Sequence, residues 1–181
     1  MKKKISILGA TGSIGISALS IIDKKKSFFN IVLLSSNKNF NLICKQIKKY
    51  KPKYYVINDL KIFNKVKKKF KKSKVKIINC FDFNDKNIKS EIVISAIPGV
   101  AGLNPTINII DKTKKILIAN KESIICGWNL IKEKAKKNKT KIVPIDSEHF
   151  SIFQLIKNTK IEDIEKIFLT ASGGPFLNLK I

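Results

Sequence analysis

The stretch Ile5-Ser6-Ile7-Leu8-Gly9-Ala10-Thr11-Gly12-Ser13-Ile14-Gly15 decides the fold. A short strand-like run enters glycines spaced three apart, and an amphipathic segment, Ser13–Asp23, follows at once. Such a strand-to-helix turn carries its backbone close to a pyrophosphate. Gly9 permits the tight turn, Gly12 removes a side chain that would block phosphates, and Gly15 lets the helix pack on the sheet. The amides of Thr11, Gly12, Ser13 and Ile14 are expected to be free at the positive helix end and to hold the anion. The spacing is G-x-x-G-x-x-G rather than G-x-G-x-x-G, and its place on the first strand strengthens it. The plainer alternative is glycines that serve only a tight turn.

Outward from this turn, short β-branched runs alternate with amphipathic stretches, which predicts a Rossmann-like α/β fold, a doubly wound parallel sheet of about seven strands. The strands are expected at Ile5–Leu8, Ile31–Ser35, Tyr54–Ile57, Val75–Ile78, Ile92–Ser95, Ile116–Ile118 and Ile142–Ile145. Most are apolar throughout, as for strands covered on both faces. Helices are expected at Ser13–Asp23, Asn41–Tyr50, Leu60–Phe70, Leu103–Asp111 and Glu122–Lys137. After Pro144 the texture changes to a helical Phe150–Lys157, a strand-like Ile164–Thr170 and Ala-Ser-Gly-Gly-Pro. A boundary is expected near 145–150, giving a cofactor domain over 1–147 and the incomplete start of another over 148–181. The sequence reads as truncated at Ile181.

The end of the second strand refines the cofactor. A carboxylate there would grip the ribose hydroxyls of NAD. The sequence instead reads Ser35-Ser36-Asn37-Lys38-Asn39, polar and cationic without an acid, which favours a 2′-phosphate and therefore NADPH. An ordinary turn is the competing reading.

Composition bounds the rest. Of 181 residues, 37 are basic, all of them lysine, against 13 acidic, for a net charge of +24; 44% are hydrophobic, an ordinary globular share. Charge of this size suggests a nucleic-acid-binding module, but arginine's bidentate fork is absent and the lysines are spread along the chain. Solvated lysine faces are the favoured reading. No apolar run approaches the ~20 residues that cross a bilayer. Cys44, Cys80 and Cys126 are widely spaced and read as reduced thiols of a soluble cytoplasmic protein.

Three later clusters fall at strand ends, where open α/β sheets bind ligands. In Ala119-Asn120-Lys121-Glu122-Ser123, Lys121 suits an anionic substrate or a hydroxyl, and Asn120 and Glu122 suit nicotinamide or ribose; a helix start with capping chemistry is the alternative. In Pro144-Ile145-Asp146-Ser147-Glu148-His149, the two acids would project to one face of an extended backbone and offer hard oxygens to Mg²⁺ or Mn²⁺. Alternatively both serve a helix N-terminus. His149 reads as structural or as a support to a ligand. Ser172, within Thr170-Ala-Ser-Gly-Gly-Pro175, would fit an anion-binding nest or a plain turn.

These motifs, with Ala101-Gly-Leu-x-Pro-Thr106, Ile152-Phe-Gln154 and Ala171-Ser-Gly-Gly-Pro-Phe176, stand in the order found in 1-deoxy-D-xylulose 5-phosphate reductoisomerases. The chain resembles the N-terminal part of that family from Met1 to its end. The resemblance implies the committed step of non-mevalonate isoprenoid biosynthesis. There 1-deoxy-D-xylulose 5-phosphate is rearranged by a retroaldol/aldol carbon shift, a divalent ion chelating its oxygens. NADPH then reduces the resulting aldehyde to 2-C-methyl-D-erythritol 4-phosphate. It further implies Thr11, Gly12, Ser13, Ile14, Asn37, Lys38, Asn39, Asn120 and Glu122 at the cofactor, and Lys121, Asp146 and Glu148 as catalytic residues. Asp146 and Glu148 would hold the metal, and Lys121, Ser147, Glu148 and Ser172 would touch substrate.

The family has glycine where Asn37 stands; asparagine tolerates positive φ, so the loop is expected to survive. The third metal carboxylate, most phosphate-binding residues and the lid are expected beyond Ile181, in an α+β catalytic domain. The 181 residues alone are therefore expected to bind NADPH without turnover. The family is dimeric as a rule, with no nucleic-acid or membrane partner. A semialdehyde dehydrogenase shares the glycine spacing but needs a catalytic cysteine, and Cys126 falls early in a helical stretch.

Overall fold

The computed structural model describes residues 2–83, 85 and 87–168. Seven strands form one sheet in the order β4-β3-β2-β1-β5-β6-β7. They are β1 (Lys3–Leu8), β2 (Phe29–Ser36), β3 (Tyr54–Ile57), β4 (Lys76–Ile78), β5 (Ser90–Ser95), β6 (Thr113–Ile118) and β7 (Lys141–Pro144). Every pairing is parallel. Strand order reverses between β1 and β5, which opens a crevice at the carboxyl ends of those two strands.

The helices are α1 (Ser13–Lys24), α2 (Phe40–Tyr50), α3 (Leu60–Lys69), α4 (Leu103–Ile109), α5 (Lys121–Lys137) and α6 (Ser147–Leu155). They cover both sheet faces, so adjacent strand residues feed separate cores. Ile7 and Leu34 pack with Leu19, Ile43 and Ile47 on one face. Leu8 and Leu33 pack with Ile109, Ile116 and Ile131 on the other. This two-sided burial is why strand centres such as Ile31–Leu34 are continuously apolar rather than alternating. Inside α5, Gly127 leaves helical geometry (φ −136, ψ 22), and a Cβ there would collide with the Leu103 side chain of α4.

The lysines are dispersed along the chain, and several set their ammonium groups over aromatic rings. Lys67 lies 5.2 Å from the Phe63 ring centre, Lys69 5.0 Å from Phe40 and Lys53 5.5 Å from Tyr54. Among the described residues no helix is long and apolar enough to cross a membrane. Cys44, Cys80 and Cys126 are free thiols, and Cys126 sits on α5.

The strands and the first five helices fall where the sequence places them, within a few residues. The C-terminal part differs. The helix expected at Phe150–Lys157 starts at Ser147 because Asp146 caps it. The strand expected at Ile164–Thr170 is not formed over residues 164–168, which follow a 3₁₀ turn at Ile161–Asp163 without regular structure. Leu169, Thr170 and the Ser172 cluster lie outside the described residues.

Candidate active site

The crevice begins at the β1–α1 turn. Gly9 has φ +84, and a Cβ on it would stand 2.5 Å from the Ala96 carbonyl oxygen of the neighbouring strand end. The turn is pinned from three sides. Ser35 Oγ accepts the Gly9 N–H at 3.0 Å, the Ser35 carbonyl accepts Ala10 N–H at 2.7 Å, and the buried Gln46 donates to the Ala10 carbonyl at 2.8 Å. A Cβ on Gly15 would overlap the Gly9 carbonyl oxygen and come within 2.6 Å of Ala10 Cα, so α1 lies directly on the turn.

The N-terminus of α1 has no side-chain cap, whereas α2, α3, α5 and α6 are capped by Asn39, Asp59, Asn120 and Asp146. The amides of Thr11, Ser13 and Ile14 have no hydrogen-bond partner among the described residues. An uncapped helix end beside a side-chain-free Gly12 is a ready anion site. One expectation is corrected here: the Gly12 N–H is not free, because it closes the turn onto the Gly9 carbonyl at 3.1 Å.

Two lobes of one cleft meet at this turn. The first, about 290 Å³, is walled by Gly9, Thr11 and Gly12, by Ser35–Asn37 at the end of β2, and by Asn58, Phe81, Ala96–Pro98 and Ala101. Asn37 lines it. Positive φ outside glycine occurs only at Lys51 and Lys139 among the described residues, so asparagine at position 37 needs no left-handed tolerance. Lys38 and Asn39 follow as exposed residues off this wall. Asn39 Oδ1 is engaged, accepting Leu42 N–H at 3.0 Å as the α2 cap.

The second lobe, about 450 Å³, joins Gly12, Ser13 and Ile14 to Ala119–Glu122 and Ile145–Glu148, with Ala96–Pro98 as the shared floor. Asn120 is buried, and its side chain faces the protein. Its Oδ1 accepts Ser123 N–H at 2.9 Å, and its Nδ2 donates to Gly99 O at 2.7 Å and to Ile97 O. Both amide hydrogens staple α5 to the loop after β5, while Asn120 still lines the lobe. Asn120→Ala is expected to lose about 2–3 kcal/mol by removing a cap and stranding two carbonyls, measured by urea denaturation.

Asp146 and Glu148 both line this lobe, but only Asp146 keeps extended backbone (φ −72, ψ 153), so the pair does not project from one strand. Asp146 is the α6 N-cap, accepting His149 N–H at 3.2 Å, and Glu148 lies in the first helical turn. The helix wins because the carboxylate satisfies an otherwise orphaned amide. Asp146 Oδ2 also meets His149 Nδ1 at 2.5 Å, which makes His149 a support to Asp146. Ser147 Oγ donates to Glu148 at 2.8 Å, and Lys121 Nζ stands 3.8 Å from the same carboxylate. The Ser147 hydroxyl, the Glu148 backbone N–H and the Lys121 ammonium hold the Glu148 carboxyl below its ordinary value, so it stays ionised. Among the described residues no cluster of three His, Cys, Asp or Glu side chains forms.

Thus the structure brings Thr11–Ile14, Asn37, Asn120, Lys121, Glu122, Asp146, Ser147 and Glu148 onto one cleft. Sequence reasoning missed Gln46, Asn58 and Phe81. Ala96-Ile97-Pro98 follows β5 directly, and the strand-end rule would have found it.

A doubly wound parallel sheet with an uncapped glycine turn at its switch point defines a dinucleotide-binding α/β protein. The sequence model of 1-deoxy-D-xylulose 5-phosphate reductoisomerase matches residues 5–127, and that of the enzyme's C-terminal domain matches residues 142–181. The chain belongs to the 1-deoxy-D-xylulose 5-phosphate reductoisomerase family. It is 51% identical to the reductoisomerase of Pelagibacter ubique, with 99% of this chain and 47% of that protein covered. The reductoisomerase of Zymomonas mobilis in complex with NADPH superposes with a TM-score of 0.88 at 31% identity, covering 99% of this chain and 48% of that one. A DOX-P reductoisomerase in complex with magnesium superposes with a TM-score of 0.86 at 30% identity, covering 99% and 48%. The chain spans about half the length of the relatives it matches.

Proposed function

We propose that this chain supplies the cofactor-binding part of an NADPH- and divalent-metal-dependent reductoisomerase. The complete enzyme would convert 1-deoxy-D-xylulose 5-phosphate to 2-C-methyl-D-erythritol 4-phosphate in isoprenoid biosynthesis, as a cytoplasmic homodimer. Residues 1–147 act as the NADPH domain, and 148–181 open the catalytic domain. The observation that carries this reading is the single cleft joining the uncapped start of α1 to the Asp146–Glu148 pair. The relatives bound to NADPH and to magnesium support it.

The residues present fit both groups. The free amides of Thr11, Ser13 and Ile14 hold the pyrophosphate, with Gly12 giving it room. Asn37, Lys38 and Asn39 receive the 2′-phosphate at a strand end without a carboxylate. Glu122 and the Asn120 backbone flank the nicotinamide end. Asp146 and Glu148 offer the hard oxygens that Mg²⁺ or Mn²⁺ prefers. When bound, the metal polarises substrate oxygens and the nicotinamide supplies hydride.

The protein's own groups do the positioning. Lys121, lightly held by Glu148 across an exposed 3.8 Å gap, is placed to turn onto a substrate oxygen. The Ser147 hydroxyl can exchange its Glu148 contact for a substrate hydroxyl, and Ser172 is assigned a further substrate contact. The loop after β5, fastened by Asn120, floors both lobes and excludes water from beneath the cofactor.

Fluorescence titration of the 181-residue chain with NADPH and NADH tests the cofactor assignment. NADPH should bind at least about tenfold more tightly, the worth of one charge-assisted contact to the 2′-phosphate. Equal binding, or a preference for NADH, overturns the assignment. Mixed with 1-deoxy-D-xylulose 5-phosphate, NADPH and Mg²⁺, the same chain should leave NADPH unoxidised.

A further inference from the structure

The first lobe contains a wall that neither the glycine turn nor the acid pair accounts for. Phe81 is the single aromatic residue among those lining it, and it shares the lobe with small and polar neighbours: Ser36, Asn37, Asn58 and Ala101. It lies in the stretch after β4, beside the ends of β2 and β3.

That segment is fastened on both sides. Asn79 donates to the Ile57 carbonyl at 2.8 Å and to the Asn58 carbonyl at 3.2 Å, tying the segment to the end of β3. Asn108 of α4 donates to the Phe81 carbonyl at 3.2 Å and is itself steadied by Asn104. The Phe81 ring meets the buried Phe83 ring edge-on, with centres 6.1 Å apart and planes at 77°. The ring is therefore held before any ligand arrives, and the residue is only partly buried.

A dinucleotide whose pyrophosphate sits on α1, and whose nicotinamide lies toward Asp146, must send its other nucleoside into this lobe. A purine there gains from a flat aromatic face, since base–aromatic stacking depends on the ring and not on base identity. Asn58 adds a polar edge: its backbone N–H is occupied by the Ser36 carbonyl at 3.2 Å, while its exposed side-chain amide makes no hydrogen bond among the described residues. Resting on the NADPH reading above, we propose that Phe81 is the stacking wall for the adenine ring, with the Asn58 amide at the base's edge.

The test uses the 181-residue chain with NADPH, 2′,5′-ADP and reduced nicotinamide mononucleotide as probes. Phe81→Ala should weaken 2′,5′-ADP and NADPH about tenfold and leave the mononucleotide unchanged. Phe81→Tyr should restore binding, because the ring returns. Nuclear Overhauser contacts between the Phe81 ring and adenine H2 or H8 should appear in the parent, a signature that a purely structural phenylalanine would not give. If the parent binds 2′,5′-ADP and Phe81→Ala binds it equally well, the stacking role fails and the cofactor reading stands. If the parent binds neither NADPH nor 2′,5′-ADP, both fail together.

Discussion

Gly15→Ala is expected to destabilise the protein by about 3 kcal/mol, lowering its thermal midpoint by roughly 6–12 °C. A glycine-to-alanine change inside a helix ordinarily stabilises by up to about 1 kcal/mol. The sign reverses here because the new Cβ would run into the Gly9 carbonyl oxygen and lie 2.6 and 2.8 Å from Ala10 Cα and C. All three are backbone atoms of a turn pinned by Ser35 and Gln46, so no flexible side chain can yield. Helix α1 must lift off β1, and the Ser13 and Ile14 amides move with it. NADPH affinity should therefore fall more than about tenfold. Gly12→Ala provides the contrast. Its Cβ would meet only the Gly9 carbonyl, at an ordinary 3.5 Å, so stability should hold while the phosphate approach is obstructed. Calorimetry with NADPH titration separates the two variants. A Gly15→Ala protein as stable and as tight-binding as the parent would refute the packing argument.

Asp146 serves two purposes that two substitutions can separate. Asp146→Asn keeps an oxygen to accept His149 N–H at the start of α6 but removes the charge. Its thermal midpoint should match the parent, while affinity for Mg²⁺ or Mn²⁺ falls about a hundredfold or more, the loss expected when a charged ligand goes. Asp146→Ala should lose the metal and also about 1 kcal/mol of helix capping. Calorimetric titration with Mn²⁺ reads the first effect and denaturation the second. Undiminished Mn²⁺ binding in Asp146→Asn would reduce Asp146 to a helix cap.

The same double use explains what the sequence disclosed and what it hid. The β1 turn was legible because its glycines answer to local geometry: Gly9 needs positive φ and Gly15 needs a bare Cα. The strands were legible because burial on both faces leaves continuous apolar runs such as Ile31–Leu34. Asn39, Asn120 and Asp146 were harder. Each follows a strand end and precedes a helix, so the cleft and the helix compete for one side chain, and spacing does not say which prevails. In Asn120 the helix and the loop after β5 take both ends of the amide. In Asp146 the cap leaves the carboxylate on the cleft wall. Asn58 directly follows β3, so the strand-end rule would have found it. Phe81 carried no signal, because an irregular segment has no period and its place beside β2 and β3 depends on contacts far away in sequence.

The central claim is that a dinucleotide spans Gly12 with its nicotinamide toward Asp146 and Glu148. Paramagnetic broadening tests it most directly, with Mn²⁺ added to the chain saturated with NADPH. The nicotinamide protons should broaden far more than adenine H2 and H8, and Asp146→Asn should abolish the difference. Adenine signals broadened as strongly as nicotinamide signals would place the metal elsewhere and contradict the account.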